Sequence, residues 1–395
     1  MKLELVATCL FGLEKLLGEE IDALGLHRLE TIDGRVVFEG DWIDVARCNL
    51  NLRCAEHVFV RLGSFPTHTY TELFDGVRAI AWEDWIGKLD AFPVKGHCIK
   101  SGLYSVPDCQ SIIKKAIVER LSAHYGVKWF AETETVYQIE FFLFKDTVSL
   151  MIDTSGIPLH KRGYRPQSGA APLRETLAAA IALTSRPRED VLFWDPMCGS
   201  GTIAIEAAMI LAGRAPGLGR SFAAEQFAQL PKTLWDQARE EAESFARRDA
   251  QFEVYASDID DAILDVTYEN ALRAGVEEYL NIFQADVRKI QKKDCRGTVV
   301  CNPPYGERLM TPGEAAQLYR DMGRAFADLA PWQIYIITSH PEFERCYGFK
   351  ADKVRKLYNG MIPCSLYQYF RPQARREEIS AEAGRKFKHK HKHKH

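Results

Sequence analysis

Asp195-Pro196-Met197-Cys198-Gly199-Ser200-Gly201-Thr202 follows the apolar stretch Val191 to Trp194 and leads into the apolar run Ile203 to Leu211. A buried strand, a turn with two glycines and a helix form the first βα unit of an open α/β sheet. Glycine turns the backbone tightly and lets a ligand lie against a helix N-terminus. The rhythm then repeats. Val254 to Ser257, Ile282 to Ala285, Thr298 to Cys301 and Ile334 to Thr338 read as further short buried strands between helical stretches. From Leu173 onward the sequence therefore predicts a doubly wound, mostly parallel sheet of Rossmann-like α/β class. A detour over residues 213–249, with loop-like Pro216-Gly217-Leu218-Gly219 and helical Leu234 to Arg247, interrupts it before the second strand.

Each of the first four strands ends in a polar residue. Asp195 stands ahead of the glycines, where it would repel a pyrophosphate but suits a ligand bearing an ammonium and a sulfonium, such as S-adenosylmethionine. Ala204 holds the place of a third glycine, which weakens the case for a dinucleotide. In Ser257-Asp258-Ile259-Asp260 the first acid suits two ribose hydroxyls, or one of the pair caps the next helix. Asp258 lies far beyond the usual roughly 20 residues from the glycines, and the detour accounts for the excess. In Ala285-Asp286-Val287 the carboxylate suits the adenine amine, or again caps a turn. With Asn302 at the fourth tip, the expected cofactor neighbours are Asp195, Pro196, Cys198, Gly199, Gly201, Thr202, Asp258, Ile259, Asp286, Val287 and Asn302.

Asn302-Pro303-Pro304-Tyr305 follows the fourth strand, and two prolines can continue neither a ladder nor a helix, so the turn is rigid. An exocyclic amine on an aromatic ring has its lone pair delocalised, and pre-aimed acceptors supply what it lacks. The Asn302 side-chain oxygen and the Pro303 carbonyl would each accept an amine N–H while Tyr305 stacks on the ring. The proton becomes acidic only as the methyl group arrives, so such acceptors stabilise the transition state most. Asn302, Pro303 and Tyr305 are the expected catalytic set. A proline-stiffened loop without chemistry is the plain alternative.

Upstream, Leu3 to Ala7, Arg35 to Glu39 and Val58 to Ser64 read as strands, with helices at Gly12 to Leu24 and Asp41 to Leu50. Next come a helix at Tyr70 to Ala81, a strand at His97 to Gly102, a helix at Cys109 to Tyr125, and a hairpin from Tyr137 to Phe144 and Thr147 to Asp153. This half is α+β in style. The chain has 395 residues, 46% of them hydrophobic, enough for two or three domains. The terminal Lys/His alternation from Lys388 reads as a purification tag and is set aside. The formal net charge is -3, and without the tag lysines the chain is more acidic still, so a nucleic-acid surface must be a local patch. Ten cysteines stand singly without ligand spacing, which predicts no metal site. Free thiols, no export signal and no apolar run near 18 residues predict a cytoplasmic protein.

The glycine turn, the stretch Asn302-Pro303-Pro304-Tyr305-Gly306-Glu307-Arg308-Leu309 and the linker His160-Lys161-Arg162-Gly163-Tyr164-Arg165 together resemble the THUMP-domain RNA methyltransferases. Within them the chain is most similar to the bacterial family that methylates the 2-amino group of guanine in large-subunit ribosomal RNA. The resemblance covers nearly the whole chain. It implies an N-terminal ferredoxin-like region over 1–65 and a THUMP RNA-binding domain over 66–157. A basic linker over 158–172 then leads to a class I methyltransferase domain over 173–385, with its last strand antiparallel, and residues 386–395 are mostly tag. It also makes Leu173, within Ser168-Gly169-Ala170-Ala171-Pro172-Leu173-Arg174-Glu175-Thr176, a cofactor neighbour. Ala170 departs from the family's usual Glu. Lys161, Arg162 and Arg165 in the linker, with Lys114 and Lys115 in a basic stretch between Lys95 and Lys128, are the expected RNA contacts. Two other uses of the same turn stay open: adenine in DNA or a glutamine amide in a protein. A non-catalytic RNA-binding assembly factor is a third alternative.

Overall fold

The computed structural model describes residues 2–166, 173–247, 249–305 and 310–370. The stretches Ser168 to Pro172 and Gly306 to Leu309, and the terminal tag, lie outside the described residues. The chain divides into two compact units. The first holds the residues up to Cys9, Glu14–Lys161 and Ala215–Phe245; the second holds Leu10–Leu13, Arg162–Arg214 and the chain from Ala246 on.

In the first unit, strands β1 (Leu3–Cys9), β2 (His27–Ile32), β3 (Arg35–Gly40), β4 (Ala55–Pro66), β5 (Val94–Ile99), β6 (Ile139–Phe144) and β7 (Thr147–Asp153) make one sheet in the order β2-β3-β1-β4-β7-β6-β5. The long β4 is the joint, since its first half pairs with β1 and its second half with β7. Helices α1 (Glu14–Ala23), α2 (Trp42–Asn51), α3 (Tyr70–Ala79) and α4 (Val106–Tyr125) connect the strands. Local chemistry sets their ends: Asp41 and Asp44 form a capping box on α2, and Thr69 and Glu72 form one on α3. Ser105 caps α4, which stops at left-handed Gly126. Three contacts put α2, α3 and α4 on the same face of the sheet. They are Gly40 against Asp44, Gly63 against Ile80 just past α3, and the Sγ atoms of Cys98 and Cys109 at 3.8 Å.

The detour belongs to this unit. Helix α7 (Lys232–Ser244) packs on α2, with Arg47 paired to Glu241 at 2.9 Å. Phe227 stacks on Tyr137 at 4.4 Å. Arg220 donates to the carbonyls of Ile157 at 2.5 Å and Pro158 at 2.7 Å.

In the second unit, α5 (Glu175–Ser185), β8 (Leu192–Asp195), α6 (Thr202–Leu211), β9 (Val254–Asp258), α8 (Asp261–Ala274) and β10 (Leu280–Gln284) lead to β11 (Gly297–Cys301). They are followed by α9 (Pro312–Ala327), β12 (Gln333–Thr338), α10 (Phe343–Tyr347), β13 (Lys353–Asn359) and β14 (Ile362–Tyr369). The sheet order is β10-β9-β8-β11-β12-β14-β13. β8 to β12 are parallel, and the last strand, β14, inserts between β12 and β13 and runs against both. The expected doubly wound sheet with an antiparallel last strand is present. Every residue of β11 is buried, as its apolar sequence demands. The order reverses between β8 and β11, which opens a crevice at their C-terminal ends. Among the described residues, no helix is long and apolar enough to cross a membrane.

Candidate active site

The crevice is built from strand tips. Asp195 ends β8, Asp258 ends β9, Asp286 lies just past β10 and Asn302 follows β11. The glycine loop after β8 is held from several sides. Gly199 N–H donates to Asp258 Oδ2 at 2.9 Å, and Cys198 N–H donates to the Ser257 carbonyl at 3.0 Å. From α8, Thr267 Oγ1 donates to the Gly199 carbonyl at 2.6 Å and Asn270 Nδ2 to that of Ser200 at 3.0 Å. Gly199 and Gly201 both have left-handed backbones, with φ of 50° and 81°. A Cβ on Gly201 would strike Thr267 at 2.6 Å, whereas one on Gly199 would meet open space. The loop therefore presents backbone, not side chain, to the crevice.

Asp195 is 1% exposed. Burial pushes its carboxyl well above the usual carboxylate range, the Met197 N–H at 3.3 Å opposes that, and the charge of Asp258 adds to it. A buried acid beside a second acid is a place where a cationic ligand is favoured. The geometry thus fits a ligand with an ammonium and a sulfonium.

Asp258 also accepts from Asp260 N–H at 3.1 Å, while Asp260 caps α8. Asp286 is engaged as well: it caps the short turn Val287–Lys289 and takes a double contact from Arg288, at 2.8 Å from Nε and 2.7 Å from Nη2. The Arg288 hydrogen bonds hold its carboxyl below the usual range. Pro196, Asp286 and Val287 line one cavity with Trp194, Ser257 and Lys293. Ile259 is exposed, Cys198 is buried and Leu173 is buried.

On the other side of the crevice, Asn302 Oδ1 accepts from the Tyr305 hydroxyl at 2.5 Å. The Pro304 carbonyl accepts from the Tyr319 hydroxyl at 2.6 Å, and that hydroxyl also lies 3.1 Å from Thr338 Oγ1. Tyr319 is fully buried, with its ring edge-on to His340 and Phe343. The rigid turn is thus tied to α9 and to the end of β12. Tyr319 lies outside every motif of the sequence; its signal was a tyrosine on the apolar face of a helix, whose hydroxyl must find a partner.

The expected RNA contacts divide. Arg162 is buried, with Nε 3.5 Å from the Glu206 carboxylate of α6, which also accepts from the buried Tyr164 hydroxyl at 3.1 Å. Arg165 donates from Nη1 to Thr202 Oγ1 at 2.7 Å and to the Leu173 carbonyl at 3.1 Å, and its Nη2 pairs with Glu175 at 2.9 Å. These guanidinium groups brace the start of α6 and of α5, so the expectation that they meet phosphates is corrected. Lys114 is half-buried over the Phe92 ring and paired with Glu132 at 2.6 Å. Lys115 and Lys161 are exposed.

The model of the RMKL-like methyltransferase domain matches residues 162–368, that of the RlmL ferredoxin-like domain 4–59, and that of the THUMP domain 67–153. The chain belongs to the RMKL-like methyltransferase family. Similar to this family member is YpsC of Bacillus subtilis (strain 168), named as a candidate RNA methyltransferase. It is 43% identical over 382 residues, which cover 95% of this chain and 99% of YpsC. SMU.472, a candidate methyltransferase solved with SAH, is 39% identical with a TM-score of 0.88, covering 95% and 99% of the two chains. A Listeria monocytogenes str. 4b F2365 protein, assigned by its name as an N6-adenine-specific DNA methylase, is 44% identical with a TM-score of 0.89, over 94% and 97%.

Proposed function

We propose that this RMKL-like chain uses S-adenosylmethionine to methylate the 2-amino group of a guanine in large-subunit ribosomal RNA. The observation that carries the methyl transfer is the braced Asn302 turn, facing a glycine loop that holds a buried acid. S-adenosylmethionine supplies, when bound, an electrophilic methyl group on a sulfonium. Asp195 is suited to balance the ligand's positive charge, and the loop Cys198 to Gly201 gives it backbone to lie on. Asp258 shapes that loop through Gly199 and is placed to meet ribose hydroxyls. Asn302 Oδ1 holds the Tyr305 hydroxyl on one lone pair, and its second lone pair is suited to accept an amine N–H. Tyr319 fixes the Pro304 carbonyl and with it the turn that carries Asn302, so Asn302 Oδ1 is aimed before the base arrives and reorganises little during transfer. The amine sits on the pairing edge of guanine, so the base must leave its helix to react.

RNA as substrate is supported by the THUMP match and by YpsC's name. Guanine and ribosomal RNA rest on the likeness of the Asn302 turn and linker to that family. The Listeria relative's name favours a second reading, an adenine amine in duplex DNA. Transfer of labelled methyl to undermodified ribosomal RNA and to duplex DNA separates the two, with Asn302→Ala as the blank. Label in N2-methylguanine of the ribosomal RNA is expected; label only in DNA adenine would overturn the proposal.

A further inference from the structure

The first unit carries an aromatic surface on one face of its sheet. On the sheet face opposite α2, α3 and α4, strands β5, β6 and β7 set residues in register. Ile99, Phe144 and Thr147 form one row. His97, Phe142 and Ser149 form the next, extended by Ser64 on β4, whose hydroxyl is 3.1 Å from that of Ser149. Residues paired in register share a face, so these are two parallel rows across the sheet.

The two phenyl rings stack with centroids 5.8 Å apart and planes 23° from parallel. Lys145, in the β6–β7 turn, holds its ammonium 5.1 Å from the Phe144 ring centre. Phe142 is the inner ring: Arg35 lies over it at 3.4 Å, and it packs on Val6, Val37, Phe59 and Met151. Phe144 is the outer one. Beside it Ile99 is 42% exposed, and the His97 side chain is 73% exposed. Beyond the strand end, exposed Lys100 precedes Tyr104, which is 83% exposed. Of the acids near by, Asp146 is engaged by Gly102 N–H at 2.7 Å, and Glu140 stands one row deeper with its carboxyl raised by burial.

We propose that this face is a stacking platform for an unpaired stretch of RNA. A half-buried aromatic side chain with lysines around it and a row of hydroxyls beside it offers what a splayed nucleotide needs: a flat apolar surface for the base, charge for the phosphate and partners for the 2′-hydroxyl. A paired duplex hides its base faces and gains little from Phe144. The inference rests on RNA being the substrate, and it adds a surface of the first unit that grips it.

The test measures anisotropy of a labelled short single-stranded RNA, and of a duplex of the same sequence, with the full chain. Wild type should prefer the single strand. Phe144→Ala should weaken it about tenfold, the usual worth of one stacked base, and Phe144→Tyr should restore it. The surface pair Lys100→Ala with Lys145→Ala should flatten the salt dependence, and Trp129→Ala, an exposed aromatic elsewhere, should change nothing. Wild-type affinity in both Phe144→Ala and the surface pair overturns the platform while leaving the RNA substrate standing. Wild type that binds neither RNA overturns the RNA substrate and the platform with it.

Discussion

Asp195 concentrates the conflict between stability and function in one carboxyl. Its protonation range in the folded chain is raised by burial first, so the folded state binds its proton more tightly than the unfolded state. The sign follows from linkage: the contribution to stability is fully present below the ordinary carboxylate range and is lost as pH rises through the folded range. Above that range a buried charge without a counter-ion strains the fold. Asp195→Asn keeps an oxygen for the Met197 N–H but removes the charge. The variant should melt higher than wild type at neutral pH yet bind SAH more weakly, read by calorimetry at several pH values. Its affinity should also lose the pH dependence that wild type shows as the acid ionises. Unchanged SAH affinity would mean that Asp195 faces no cationic part of the ligand. Asp195 was legible because an acid ahead of a glycine turn is a local pattern. The partners of Arg162 and Arg165 were not, since Glu206 lies more than a helix away in sequence and nothing in a basic run reveals burial.

Among the elements, the parallel strands of the second unit could be read because they are short, apolar and fully buried. β2 could not, for its residues are almost all exposed and carry no alternation. The hairpin of β13 and β14 has the same defect on β13, whose residues are mostly in water. How a helix disciplines a turn was equally invisible: α9 begins ten residues after Asn302, at the capping box of Thr311 and Glu314, and delivers the Tyr319 hydroxyl to the Pro304 carbonyl. Tyr319→Phe keeps the packing against Phe343 and removes the hydroxyl, with its bonds to the Pro304 carbonyl and Thr338 Oγ1. A lost hydrogen bond to a part-buried carbonyl costs about 1 kcal/mol. If the donor serves mainly to aim the turn, kcat should fall about tenfold, with SAH affinity and the KM for RNA little changed. A fall in SAH affinity as large as the fall in kcat would instead make Tyr319 a general support of the second unit.

At the scale of the whole molecule, the chain leaves the second unit after Arg214, contributes Ala215–Phe245 to the first, and returns. Sequence reasoning saw the detour as an interruption of the α/β rhythm but could not tell where it packs, because its partners, among them Arg47, Leu50, Tyr137 and Pro158, lie far away in sequence. Gly217 carries the clearest one. Its N–H donates to the Leu50 carbonyl at 2.9 Å, and a Cβ there would stand 2.7 Å from Leu50 Cα and 2.8 Å from the Asn49 carbonyl oxygen. Neither is a flexible side chain that can swing aside, so Gly217→Ala must push the segment off α2. Overpacking of this kind costs about 1–3 kcal/mol, and the cost falls on the unit that receives the segment. Hydrogen exchange followed by mass spectrometry should therefore show faster exchange in α2 and α7 of the variant, with α6 and the buried strand β11 protected as in wild type. Loss of protection in α6 with α2 unaffected would show that residues 215–245 stabilise the methyltransferase unit from which they depart, rather than the one they join.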